Sequence, residues 1–117
     1  MLFPVHTKRI YDGRAESDGL RVLVDRLWPR GITKADAALD LWLKDVAPST
    51  ELRRWFDHRA DRWAEFRKRY YQELAGSPAV RQLRALTCKQ SVTLVYAAKD
   101  REHNEAIVLA EFLGGEN

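Results

Sequence analysis

Two stretches of the chain gather side chains that can hold anions or move protons. LRVLVDRLWPRGI, Leu20 to Ile32, is apolar until it turns into Asp25, Arg26, Trp28 and Arg30, and YAAKDREHN, Tyr96 to Asn104, ends in Lys99, Asp100, His103 and Asn104. Guanidinium and ammonium groups suit phosphate or carboxylate. An imidazole has an unperturbed pKa of about 6.5, so His103 with Asp100 on the same loop is a candidate general acid or base. Trp28, flanked by arginines and followed by Pro29, is placed to wall a pocket or to cover the end of a sheet. Ser49 precedes TELRRWF as a helix N-cap. The free N–H groups of that helix, and of one starting near Asp100, would add partial positive charge.

Each of these residues also has a plain structural reading. Ion pairs are common at strand ends, Asp100 fits a helix N-cap, and His103 fits a first-turn surface position. Gly31 stands alone, so no glycine-rich phosphate loop is present. His6 and His58 have no evident partners, and three scattered histidines with one cysteine give no metal-ligand spacing; no metal and no cofactor are expected. Cys88, expected at a helix end beside Lys89, reads as an inert thiol, and Tyr96, inside an apolar run, as a core residue.

Positioning these groups requires strands that end where the charges begin. RVLVD and SVTLVYAA are short, β-branched, nearly continuous apolar runs, the pattern of strands buried on both faces of a parallel or mixed sheet. VHTKRIY and LDLWLKDV are weaker strand candidates. Thr33 followed by Asp36 predicts a capped short helix over KADAAL. Trp63, Phe66, Tyr70 and Leu74 recur at helical spacing, Gly76 stops that helix, and Ser77 with Pro78 starts another whose apolar face is Val80, Leu83 and Leu86. EAIVLAEFL, before Gly114 and Gly115, is a last and well-buried helix.

The order of elements predicts an α/β fold: a single domain over residues 1–117 with a mostly parallel or mixed four-stranded sheet covered by helices. RVLVD and VTLVYAA belong in its interior. The pairing of the first strand stays open, because DGRAESDG is short for a parallel crossover and long for a tight hairpin. Ligands in open α/β sheets gather outside the carboxyl ends of the strands, so the two charged loops are expected to meet there.

With 117 residues, 45% hydrophobic and 32% charged, the chain can bury one core without a disulfide or metal. No apolar run is long enough for a membrane span and the N-terminus lacks signal-peptide character, so a cytoplasmic protein is expected; the single cysteine agrees. The formal net charge of +3 names no partner. Arg53, Arg54, His58, Arg59, Arg62, Arg67, Lys68 and Arg69 invite a nucleic-acid reading, but Asp57, Asp61 and Glu65 are interleaved, which favours a solvated, salt-bridged face.

SDGLRVLVDRLWPRGI, APSTELRRWF and VTLVYAAKDREHNEAIVLAEFL together resemble the YeaO-like proteins, a bacterial branch of a domain-of-unknown-function family, over roughly Lys8 to Leu113. The resemblance implies a small cytoplasmic α/β domain and supplies no reaction, substrate or catalytic residue. The wider family tends to read Val-Asp-Val-Arg and then Pro-Arg-Ser, where this chain has VDRLWPRG with different spacing.

Two function classes follow. The first is a ligand-binding protein or small enzyme for an anionic small molecule, with Asp25, Arg26, Trp28, Arg30, Ser49, Lys99 and Asn104 as binding residues and His103 with Asp100 as the proton-transfer pair. The second is a nucleic-acid-binding or regulatory module using the basic helices. Whether the protein is an enzyme, and its oligomeric state, are left open by the sequence.

Overall fold

A computed structural model describes residues 3–114. Four strands form one sheet: β1 (Val5–Arg9), β2 (Leu20–Leu23), β3 (Leu41–Trp42) and β4 (Val92–Tyr96). Their order is β1-β4-β2-β3 and every neighbouring pair is parallel. Both apolar runs are interior strands, as their lack of polar alternation requires. Val92 sits between Val5 on one side and Leu20 on the other. The open pairing is thereby settled: β1 lies against β4, and residues 10–19 carry the chain past the place that β4 fills.

That short crossover has a tight end. Gly19 has φ +64°, and a Cβ there would stand 2.4 Å from the Ser91 carbonyl oxygen, which accepts the Leu20 N–H at 3.0 Å. Only glycine lets β2 start this close to the chain entering β4.

Alternate residues of the central strands face two different cores. Val22, Val24, Val92, Leu94 and Tyr96 pack on one face beneath helices α2 (Thr50–Phe56), α3 (Trp63–Leu74), α4 (Pro78–Thr87) and α5 (Glu105–Gly114). Leu23 and Val95 face the other way, onto Ile10, Ala37 of the short α1 (Lys34–Ala37), Trp28 and Trp42. The second face is thus closed mainly by loops and one turn of helix.

The expected helix ends are present. Thr33, Ser49 and Ser77 accept hydrogen bonds from the N–H groups of Asp36, Leu52 and Val80, Pro78 opens α4, and Gly76 follows α3 at φ +79°. Phe66, Tyr70 and Leu74 are the buried stripe of α3. Only Leu41 and Trp42 of LDLWLKDV are strand; a 3-10 turn at Lys44–Val46 then folds Val46 into the helical core, where its carbonyl accepts the Tyr70 hydroxyl at 2.5 Å. α5 extends through Gly114, and Gly115 lies outside the described residues. No helix among the described residues is long and apolar enough to cross a membrane.

Candidate functional site

The carboxyl ends of β1, β2 and β4 open into a cavity of about 1110 Å³. Asp25, Arg26, Trp28, Arg30, Lys99, Asp100, His103 and Asn104 line it, so the two charged loops do meet. Asp25 ties three strand ends together: its Oδ2 accepts the Ala97 N–H at 3.0 Å beyond β4, and its carbonyl accepts Trp42 Nε1–H at 2.7 Å from β3.

The cations of the cleft fall into two groups. Arg26 donates to the carbonyls of Ala47 and Pro48 at 3.3–3.4 Å, and Arg9 donates to those of Ala98 and Ala97 at 2.9 and 3.2 Å while lying over the Tyr11 ring. Arg30, Arg53 and Lys99 have no side-chain hydrogen bond or ion pair among the described residues. Arg53 is half-buried. An unpaired guanidinium held partly out of water keeps its donors available for an incoming anion.

Trp28 stands at both surfaces. It lines the cleft, yet its Nε1–H donates to the Ile32 carbonyl at 2.9 Å and its ring meets Trp42 edge-on at 5.5 Å, covering the second face of the sheet. The loop is also pinned from β1's side, because the Tyr11 hydroxyl donates to the Arg30 carbonyl at 2.6 Å.

His103 and Asp100 form a dyad at the other wall. Asp100 Oδ1 accepts the N–H groups of Glu102 and His103 at 2.9 and 3.0 Å, and Oδ2 lies 2.9 Å from His103 Nδ1. The Glu102 N–H, reinforced by His103, holds the Asp100 carboxyl below the usual carboxylate range. An ionised Asp100 is an acceptor, so Nδ1 carries the hydrogen and Nε2 is left as the basic nitrogen. The ring stands edge-on to Trp63 at 5.1 Å. Asn104 is buried and serves as cap: Nδ2–H donates to the Asp100 carbonyl at 2.9 Å and Oδ1 accepts the Ile107 N–H at 3.0 Å.

Ser49 does not line the cleft. Its N–H and hydroxyl donate to the two oxygens of Glu73 at 2.8 and 2.6 Å, while Oγ accepts from Leu52. The positive end of α2 is therefore already occupied by a carboxylate of the protein itself.

Glu105, the first residue of α5, is the group sequence reasoning missed together with Arg53. An acid in the first turn of a helix is ordinary, and nothing local marked this one. Its carboxyl lines the same cavity as that of Asp25. Burial, then the neighbouring Asp25 carboxyl, push Glu105 well above the ordinary carboxylate range against a smaller opposing effect of Arg53. Asp25 Oδ1 is buried and has no hydrogen-bond partner among the described residues. His58, Phe56 and Phe66 complete the wall formed by α2 and α3.

Half of the basic helix cluster is engaged within the protein. Arg59 bonds Asp61, Arg67 bonds Glu111, and Arg69 bonds Glu65, while Arg62 reaches the Trp55 carbonyl and ring. Among the described residues no group of three or more His, Cys, Asp or Glu side chains could hold a metal ion.

Comparison with known proteins adds a family to this geometry. A family model described as "Inactive DUF488-N3 subclade" matches residues 4–117. The uncharacterized protein YeaO of Escherichia coli is 48% identical over 110 residues, covering 93% of this chain and 96% of its own. An uncharacterized protein of Mycobacterium tuberculosis is 47% identical over 111 residues, covering 95% and 94%. No solved structure matches the chain.

Proposed function

The chain belongs to the inactive DUF488-N3 subclade, and from that premise we propose a cytoplasmic protein whose cleft binds an anionic small molecule bearing phosphate or carboxylate. The observation that carries the reading is the convergence of Arg30, Arg53 and Lys99 on one cavity, with no side-chain hydrogen bond or ion pair among the described residues. Arg26, Asp25, Asn104 and Trp28 shape the walls, and Ser49 steadies α2 from outside. The term inactive in the subclade's description favours binding over turnover. Were a reaction retained, Nε2 of His103, with Nδ1 held by Asp100, is the base the geometry offers.

Thermal melting against sulfate, inorganic phosphate and a panel of phosphorylated and carboxylated metabolites tests this. A ligand that binds only the native state stabilises it by about 2.7 kcal/mol at a hundredfold excess over Kd. The wild type is expected to shift, while Arg30→Ala, Arg53→Ala and Lys99→Ala melt normally and lose the shift. Tight binding of DNA or RNA that collapses log-linearly with salt would instead establish a nucleic-acid module. The pairing of Arg59, Arg67 and Arg69 within the protein speaks against that outcome.

A further inference from the structure

We infer that the ligand of this cleft is an amphipathic organic anion, a phosphate or carboxylate joined by a short link to an aryl or alkyl body that covers Leu27 and Tyr11. The inference rests on the anion-binding reading above. Among the described residues three large apolar side chains are exposed, Phe3, Tyr11 and Leu27, and the last two both line the cavity. Phe3 stands at the amino end of the sheet, before β1, far from the cleft's carboxyl-end position. Leu27 is 63% exposed. A single exposed leucine is ordinary on a protein surface, whereas apolar groups gathered on the lip of a cleft mark a place that a ligand covers.

The neighbours of Leu27 hold it there. Arg26 before it is tied to the Ala47 and Pro48 carbonyls, and Trp28 after it to the Ile32 carbonyl, with its ring against Trp42. Both flanking side chains are thus spent on the fold, while that of Leu27 lines the cavity. Tyr11 is fixed in a similar way. Its hydroxyl donates to the Arg30 carbonyl at 2.6 Å, and Arg9 lies over its ring, 4.7 Å from the centroid. The apolar lip is therefore bonded to the loop that carries a free cation. Arg30 follows Leu27 by three residues, so their Cα atoms are at most about 11 Å apart, the span of a small organic molecule. Deeper in, Phe56 and Phe66 add apolar wall, their rings stacked 4.2 Å apart. The volume agrees, because a cavity of about 1110 Å³ is the size that holds a whole organic ligand rather than a bare oxyanion.

Calorimetric titration of the wild type with methyl, phenyl and n-hexyl phosphate tests this, at one ionic strength and about pH 8, where phosphate monoesters are dianions. Phenyl or hexyl phosphate is expected to bind about tenfold or more tighter than methyl phosphate. Tenfold needs only about 55 Å² of apolar surface removed from water. Whichever ester gains more identifies the body as aryl or alkyl. Leu27→Ser should melt near the wild type, since the side chain is exposed, and lose most of the gap with methyl phosphate binding unchanged; Leu27→Met should keep the gap. A gap undiminished in Leu27→Ser overturns the inference. If methyl phosphate binds as tightly as the larger esters, the inference is wrong while the anion cleft stands. If none of the three binds, or if phenol binds as tightly as phenyl phosphate and Arg30→Ala changes neither, the anion reading fails and takes the inference with it. The wild-type series alone decides the matter if Leu27→Ser does not fold.

Discussion

The two ends of β2 handle charge in opposite ways. At its start, Asp18 accepts Arg21 Nη1 at 2.7 Å, Lys8 Nζ at 3.1 Å and the Ala15 N–H at 2.9 Å, and Arg21 spends its remaining donors on the carbonyls of Ala37 and Ala38. Arg21 is completely buried. At the other end, Arg30, Arg53 and Lys99 surround a cavity with no ion pair among the described residues, and the buried Asp25 Oδ1 has no hydrogen-bond partner there. The strand between them is only Leu20–Leu23. A buried charge must be saturated for the fold to survive, so saturation marks architecture and a deliberate deficit marks a place for something else.

The most severe way to break this contrast is Asp18→Ala, which strands Arg21 in the core. Loss of one partner of a buried pair is expected to cost about 3–5 kcal/mol, read by urea unfolding. The same carboxyl makes stability depend on acid. Burial alone would raise the Asp18 pKa, but the Ala15 N–H, Arg21 and Lys8 outweigh it and the value lies below the ordinary one. Its contribution is thus present above the unfolded value of about 3.9 and is lost as pH falls through the depressed folded value. Unfolding curves taken down through this window should steepen in the wild type and flatten in Asp18→Ala. Equal acid sensitivity in both proteins would remove Asp18 from the account.

Arg26 tests the middle ground, since it stands at the open end yet binds two backbone carbonyls through long hydrogen bonds. Arg26→Ala should destabilise by about 1 kcal/mol, between the two extremes. The smallest effect is expected from Arg30→Ala and Lys99→Ala, each within about 0.5 kcal/mol of wild type without ligand. If Arg30→Ala unfolds the protein, the charge after β2 is architecture at both ends and the contrast disappears.

Much of this organisation was written locally. β-branched continuity placed β2 and β4 inside the sheet, and Ser49, Ser77 and Pro78 marked helix starts, because such signals act over a few residues. The carboxyl-end rule then brought Asp25, Arg30, Lys99 and His103 into one cleft. Contacts between distant residues were not legible. Glu73 reaches Ser49 from 24 positions away and fills the helix end that seemed free. Arg53 lay hidden among arginines that do pair on the surface, and Glu105 looked like an ordinary first-turn acid until Asp25 stood opposite it.

The order β1-β4-β2-β3 bears on how the protein comes to exist in the cell. Translation delivers β1, β2 and β3 early, yet the strand that joins β1 to β2 emerges only at Val92–Tyr96. Until then β1 has no neighbour, and β2 is paired only to the two residues of β3. Contacts this far apart in sequence form slowly. The nascent chain therefore carries an unfinished sheet edge through most of its synthesis, and β4 must insert between two waiting strands rather than add to the outside of a growing one. That vacancy is where a chaperone would find extended apolar backbone, and where premature release would be most damaging.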